Sequence, residues 1–451
     1  MFMNYWRTLK DQRYLTSDKV FKASFYLLFL SAVTLVVPNV KPYEGSQIGV
    51  PDLKMTTDWW DVAAPTLPRI LNLEESPFKW HAFQILILIS AAFGIRKLLP
   101  IEQVKKTSHK MLYLVFSYVF FIFSILGARD GIALSLIVLG IAAIKTASLN
   151  SRLIQYFKII LGFIVLIVAS QYKITLIFII SFLIFTTFMK IWIRKSQIIA
   201  LAITSFIVLP FGTLTLDYFL TNSFELQKTY PEQQVMLYDL TGVMCWSNSN
   251  RAVDFATNAL ENFTKSEVSE KKLCQFLVPY GWDSIKKYPI SIDRKEYFSP
   301  TNDKINFLEL RNSWTVLLFK FPKDWVELKS NFVGQVFFMS NLFDNGEKFI
   351  DVNKNFQYAV YKAFLLPVKI LDKMFILTYF FSFFFVLISK VLYQNIVVSK
   401  QAASILIIGV IVNLASFVAD NGRYSLPFLL LFWALVLKRN IEETTNKSSY
   451  V

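Results

Sequence analysis

Residues 120–140 read FFIFSILGARDGIALSLIVLG, an apolar stretch with two full charges, Arg129 and Asp130, near its middle. Apolar sequence continues on both sides, so this polar break interrupts a run of about 30 residues. A helix rises about 1.5 Å per residue, so about 20 residues cross a hydrocarbon core of about 30 Å. The stretch is therefore read as two membrane spans, with the charged residues at the turn between them.

The composition of the whole chain is that of a membrane protein. Its 451 residues are 54% hydrophobic, with 44 phenylalanines and only 14 glycines. The apolar residues gather into blocks of about 17 to 22, each long enough to span a bilayer as a helix. The sequence therefore predicts an all-α polytopic membrane protein rather than two or three soluble domains.

The blocks predict about ten spans. These lie at 21–37, 79–95, 111–127, 131–147, 153–170, 174–190, 197–216, 374–390, 402–419 and 424–438. Basic residues gather at alternate junctions, within 7–19, 96–110, 145–158, 190–195, 390–400 and 438–447. The positive-inside rule places all of these junctions, and both termini, in the cytoplasm.

This topology divides the chain into three parts. Residues 1–216 form a membrane domain of about seven spans, with a first outer loop at 38–78. Residues 217–373 form a small extracytoplasmic domain of mixed or α-rich structure. Residues 374–451 form a second membrane domain of about three spans, with a cytoplasmic tail. The first apolar block begins near Phe21 without a small-residue cleavage site after it, which predicts no cleaved signal peptide.

The extracytoplasmic region has two local features. Cys245 and Cys274 are the only cysteines, and on an oxidising side of a membrane they are candidates for a disulfide, with two unpaired buried cysteines as the alternative. From Pro322 onwards apolar residues recur at helical spacing, which predicts an amphipathic helix. This helix is expected at the membrane surface or packed within the outer domain.

Several familiar chemistries lack sequence support. The net charge of +15 comes mainly from residues beside span ends, so no nucleic-acid partner is expected. The chain has neither a P-loop nor a GxGxxG sequence, and we expect no required cofactor. Its only histidines are His81 and His109. A divalent metal is therefore unsupported, and His81, beside Trp80, is interpreted as an interfacial residue.

Charged residues of both signs fall in the predicted outer turns and loops. They are Asp58, Asp61, Arg129, Asp130, Lys173, Asp420 and Arg423. Each has a structural explanation when taken alone. Asp58 or Asp130 is suited to cap a following helix, and Lys173 or Arg423 is suited to snorkel to the interface. Together they predict a substrate site at the outer face, where carboxylates meet cations.

The order of parts resembles the GT-C class of polytopic membrane glycosyltransferases, especially bacterial members that modify surface polysaccharide with sugars from polyprenyl-phosphate donors. The resemblance covers most of the chain and depends on loose patterns in combination. These patterns are TTDWWDVAAPTLP in the first outer loop, ILGARDGIALSLIVLGIA at the polar turn, QQVMLYDLTGV at the start of the outer domain, and SFVADNGRYSLPFLLLFWALVL near the end.

The resemblance implies an enzyme of the bacterial plasma membrane that acts at the outer face and inverts the anomeric centre. It implies that Asp58, or alternatively Asp61, is the general base, and that Asp130 is a second acid of the site. The donor phosphate is expected near Arg423, with Lys173 or Arg129, and the last outer turn adds Asp420 and Tyr424. The implied partners are a polyprenyl-phosphate sugar donor, a glycan or glycolipid acceptor, and the lipid bilayer.

Two other functions stay open at this point. An oligosaccharide polymerase or ligase of the O-antigen type also has many spans and a large outer loop, and it uses a pyrophosphate-linked donor. A transporter or flippase for a lipid-linked sugar is the alternative from another class. Transporters commonly have ionisable residues near the midplane and internal repeats. Most of the predicted spans lack charges in their central parts and no repeat is found, which favours an enzyme.

Overall fold

The computed structural model describes residues 18–33, 71, 73, 77–104, 106–126, 128–147, 152–172, 176–177, 180–184, 203–223, 232–264, 274, 303–338, 382, 384, 403–409 and 428–437. Within these residues the protein is 95% helical and has no strands. Arg129, Asp130 and residues 331–338 are described by their backbone alone.

Two groups of helices follow each other along the chain. The first comprises α1 (18–33), α2 (Pro77–Leu98), α3 (Thr107–Leu126), α4 (Ala128–Ala147), α5 (Arg152–Tyr172) and α6 (Leu209–Ser223), the last preceded by a π-helical turn (Thr204–Val208). The second comprises α7 (Glu232–Trp246), α8 (Asn250–Thr264), α9 (Lys304–Lys320) and α10 (Pro322–Phe338). Two short helices, α11 (403–409) and α12 (428–437), come near the end of the chain.

Helices of the first group have the length and composition of membrane spans. Four apolar segments among the described residues are long enough to cross a bilayer, namely His81–Leu98, Thr107–Ile125, Leu153–Tyr172 and Thr204–Ser223. Three of these overlap the spans predicted at 79–95, 111–127 and 153–170. The fourth continues to Ser223, past the end at 216 that the apolar block predicts. The protein is therefore helical with several helices that could span a membrane.

The turn between α3 and α4 is tighter than the sequence predicts. Helix α3 ends at Leu126 and α4 begins at Ala128, so a single residue separates them. A Cβ atom at Gly131 would lie only 2.1 Å from the carbonyl oxygen of Phe123, so only glycine permits this approach. The interpretation of Asp130 as the residue that caps α4 is wrong, because Asp130 already lies within the first turn of that helix.

Glycines also bring α4 against its neighbours. A Cβ atom at Gly140 would lie 2.7 Å from the Leu166 side chain of α5, and one at Gly162 would lie 2.4 Å from the Ile144 side chain of α4. Small residues at such positions allow helices in lipid to pack closely through van der Waals contact. Residue numbers rise along α4 as they fall along α5 in these contacts, so the two helices are antiparallel.

Helices α1 and α3 run in the same direction. Asp18 forms an ion pair with Lys110 at the start of both helices. One to two turns further along α1, the ring of Phe25 packs against Tyr113 and Phe121 of α3. The parallel direction agrees with the positive-inside assignment, which starts both of these spans on the same side.

Basic residues of α2 and α4 lie together at one end of the first group. The Arg96 guanidinium donates hydrogen bonds to Glu102 at 3.1 Å and to the Tyr26 hydroxyl at 2.7 Å. Partial burial disfavours the Glu102 carboxylate, but backbone hydrogen bonding and Arg96 outweigh it and leave the Glu102 pKa below its ordinary value. The Lys145 ammonium lies 3.5 Å from the carbonyl oxygen of Leu98. This end of the helices is therefore the basic one.

The second group packs around a buried charge. The Asp239 side chain on α7 is fully buried, and its Oδ1 atom lies 2.6 Å from the Lys329 ammonium of α10, which is also buried. Its Oδ2 atom accepts hydrogen bonds from the indole nitrogens of Trp314 at 2.9 Å and Trp325 at 2.8 Å. One carboxylate thus joins α7, α9 and α10, and the apolar core of the group surrounds it.

Two further contacts close this group at the end of α7. Cys245 and Cys274 form a disulfide bond. Just beyond α7, the Ser247 hydroxyl donates a hydrogen bond to Asp324 in the first turn of α10. The predicted helix from Pro322 is confirmed, and its inward residues Trp325 and Leu328 pack within the group.

We predict that Gly131→Ala destabilises the protein by about 1 to 3 kcal/mol, because its methyl group would meet backbone that cannot move aside. The matched control is Gly212→Ala, whose methyl group would meet the flexible end of the Ile167 side chain at 2.7 Å. The thermal unfolding midpoint in detergent should fall for Gly131→Ala and stay level or rise for Gly212→Ala. Equal midpoints would show that the α3–α4 turn tolerates a side chain.

We predict that Lys329→Met costs about 3 to 5 kcal/mol, because Asp239 would keep a buried charge without its cation. Adding Asp239→Asn should recover much of this loss, since the amide oxygen still accepts from the two indoles. Lys323→Met, at an exposed position of the same helix, should change stability by less than about 0.5 kcal/mol. Unfolding of the single and double variants measures the coupling, and a strictly additive double variant would contradict it.

Candidate functional site

Most of the predicted site residues lie outside the described part of the chain. These are Asp58, Asp61, Lys173, Asp420, Arg423 and Tyr424. Arg129 and Asp130 are within it, and their backbone forms the first turn of α4. Of the predicted site residues, the structure therefore positions only the backbone of this turn.

Contacts between α2 and α4 show which residues of α2 lie level with this turn. A Cβ atom at Gly94 would lie 2.6 Å from the Val138 side chain. One turn further, Lys145 approaches the carbonyl oxygen of Leu98, so the two helices run parallel. Gln84 lies ten residues before Gly94 on α2, and Ala128 lies ten residues before Val138 on α4, which is about 15 Å along each axis. Gln84 is therefore level with the start of α4.

Two polar side chains of α2 occupy this level. His81 and Gln84 are three residues apart and thus share one face of the helix. Both ring nitrogens of His81 and the Oε1 atom of Gln84 are buried, and none of them has a hydrogen-bond partner among the described residues. Gln84 as a whole is 8% exposed. Leaving a buried polar group unpaired costs about 1 to 3 kcal/mol.

A third such group comes from α5. Because α5 runs antiparallel to α4, with Gly140 beside Leu166, its last residue Tyr172 lies about one turn from Asp130 along the axis. The Tyr172 hydroxyl is buried and has no partner within the described part of the protein. Lys173, a predicted phosphate contact, is the next residue in the chain.

Nearby polar residues on the same helices do have partners. The Ser170 and Thr213 hydroxyls lie 2.7 Å apart, and the Gln171 amide donates a hydrogen bond to the carbonyl oxygen of Thr213. Packing of α5 against α6 can therefore satisfy buried polar groups fully. Other buried hydroxyls, such as those of Ser117 and Ser205, also lack a partner among the described residues. What distinguishes His81, Gln84 and Tyr172 is that they lie near one level, at one end of the helices.

We call His81, Gln84, Arg129, Asp130 and Tyr172 the polar end. It lies opposite the basic end, about 20 Å away along the helix axes. It offers an imidazole that donates or accepts, an amide oxygen that accepts, and a hydroxyl that does both. These are groups that bind the hydroxyls of a sugar or the oxygens of a phosphate. Among the described residues no three His, Cys, Asp or Glu side chains are grouped to hold a metal ion.

His81 is a candidate site residue that the sequence analysis did not include. Its place beside Trp80 in the sequence predicts an interfacial side chain, and in the structure both of its ring nitrogens are buried. A signal was present in the sequence, since His81 and Gln84 share one face of an otherwise apolar block. Whether these two side chains are paired depends on hydrogen-bond partners from the neighbouring helices, which the sequence does not show.

Comparison with protein-family models, with curated proteins and with solved structures finds no match. The class of the protein is therefore defined by its fold alone. It is a helical protein with several apolar helices that could span a membrane.

We predict that Gln84→Leu leaves the ligand-free protein as stable as the parent or about 1 kcal/mol more stable, because it removes an unpaired buried oxygen. The matched control is Gln171→Leu, which removes a satisfied hydrogen bond to Thr213 and should cost about 1 to 3 kcal/mol. Thermal unfolding of both variants in one detergent compares them. A loss at Gln84 as large as that at Gln171 would identify Gln84 as a structural residue.

Proposed function

We propose that this protein is a membrane glycosyltransferase of the GT-C type, which transfers a sugar from a polyprenyl-phosphate donor to a glycan or glycolipid. The observation that carries the proposal is the set of buried, unpaired polar atoms on His81 and Gln84, level with the charged first turn of α4. A lipid-linked sugar keeps its tail among apolar helices and its phosphate and sugar at their ends. Buried polar groups without a hydrogen-bond partner at the ends of the helices are suited to bind the phosphate and sugar of such a ligand.

The proposed topology has about ten spans, with both termini in the cytoplasm and residues 217–373 outside the plasma membrane of a bacterium. The disulfide between Cys245 and Cys274 supports it, because disulfides persist on the oxidising side of a membrane. The gathering of Arg96 and Lys145 at the end of the helices opposite the polar end also agrees with it. The polar end then faces outward.

In the proposed reaction, Asp58 or Asp61 takes a proton from an acceptor hydroxyl, and the resulting oxygen attacks the anomeric carbon of the donor sugar. The bond from that carbon to the phosphate oxygen breaks, and the polyprenyl phosphate leaves with the electron pair. Attack opposite the leaving group inverts the anomeric centre. Arg423, with Lys173 or Arg129, stabilises the charge on the departing phosphate.

The polar end has a binding role in this scheme. The imidazole of His81 and the amide of Gln84 hydrogen-bond to hydroxyls of the donor sugar, and Asp130 accepts a further hydrogen bond from it. The last outer turn contributes Asp420 and Tyr424 beside Arg423. No cofactor takes part in the proposed reaction.

The function is tested with purified full-length protein, polyprenyl-phosphate sugars and candidate glycan acceptors. We predict that Asp58→Asn or Asp61→Asn lowers transfer by about 10²- to 10⁴-fold, because the acceptor hydroxyl loses its base. Chromatography of the labelled product measures the rate. The control is Asp303→Asn, because an asparagine still caps α9 as Asp303 does through the amides of Ile305 and Asn306.

Near-parental rates in both Asp58 and Asp61 variants would remove the general base from the proposal. Product formed only from pyrophosphate-linked oligosaccharides would assign the protein to the polymerases or ligases instead. Movement of a lipid-linked sugar across a vesicle membrane without any acceptor would assign it to the transporters.

A further inference from the structure

The corner where α9 meets α10 exposes apolar side chains to solvent. Helix α9 ends at Lys320 and α10 begins at Pro322. The inward sides of both helices are packed, with Leu317 and Leu328 buried. Outward, Phe319 is 81% exposed and Val326 is 51% exposed. Phe319 therefore contributes little to the core of the second group.

Two lysines flank these apolar side chains. Lys320 and Lys323 are both exposed, and residues 319–323 read FKFPK, with two positive charges and no acid. Asp324, the nearest carboxylate in the chain, accepts the hydrogen bond from Ser247. Glu327 is exposed one turn further along α10. The corner thus combines apolar tips with a local positive charge.

The chain tethers the second group of helices to a candidate membrane span. Helix α6, which belongs to an apolar segment long enough to span a bilayer, ends at Ser223, and α7 begins at Glu232. The intervening residues 224–231 reach at most about 29 Å when fully extended. A bilayer surface is therefore always available to the second group of helices, at a high effective concentration.

We propose that the corner formed by Phe319, Lys320, Lys323 and Val326 docks on the surface of an anionic bilayer. Phe319 and Val326 enter the interface, and the lysines meet lipid phosphates while their methylene stems lie along apolar surface. Charge complementarity favours an anionic lipid surface over a neutral one. Docking holds the second group of helices in one orientation over the membrane. The proposal does not depend on the glycosyltransferase assignment.

The test uses the full-length protein in nanodiscs with spin-labelled lipids that quench a fluorophore. Because both native cysteines are in the disulfide, Phe319→Cys introduces one free thiol that can be labelled without a reductant. The matched control is Ile305→Cys, another exposed apolar position of α9, about 21 Å away along the helix. In discs rich in phosphatidylglycerol, the label at 319 should be quenched several-fold more than the label at 305.

The charge dependence is tested by comparing neutral phosphatidylcholine discs and by adding Lys320→Gln and Lys323→Gln to the labelled protein. The ratio of docked to undocked protein should fall about fivefold for each lysine removed. An unquenched label at 319 in anionic discs, or equal quenching at 305 and 319, would overturn docking by this corner. Equal quenching in neutral and anionic discs would overturn the anionic surface as its partner.

Discussion

The close approach of Gly131 to the carbonyl oxygen of Phe123 is the constraint on which the arrangement of the first group depends. Without room for a Cβ atom, α4 can begin one residue after α3 ends and lie directly against it. This contact places Arg129 and Asp130 at the end of the helices. Further along, α4 also receives α2 at Gly94 and α5 at Gly162, so that three helices, α2, α3 and α5, pack against α4.

The buried polar groups of the protein are of two kinds, those with hydrogen-bond or ionic partners and those without a partner among the described residues. Asp239 is surrounded by an ammonium group and two indole donors, so that its charge is compensated and three helices are held together. His81 and Gln84 contain buried polar atoms for which the described residues supply no partner. The first arrangement stabilises the fold. The second lowers stability wherever no other group supplies the missing hydrogen bonds.

Much of the fold could be predicted from the sequence. The apolar blocks located α2, α3, α4 and α5 to within a few residues, because a block that must cross a bilayer has a fixed length. The helix from Pro322 followed from its apolar spacing. Helix α4 starts three residues before its predicted start at 131, because the charges at 129–130 were taken to mark a turn, whereas these residues form the first turn of the helix. The burial of the His81 nitrogens could not be predicted, because it depends on neighbours distant in the chain.

By itself, the sequence determined the class of protein and the positions of its apolar helices, because hydrophobicity adds up locally along a chain. It also supplied the glycines at 94, 131, 140 and 162. Only the tertiary structure decided what those glycines do, which polar groups find partners and which do not. Each of these outcomes depends on atoms brought together from different helices, and no local property of the sequence contains that pairing.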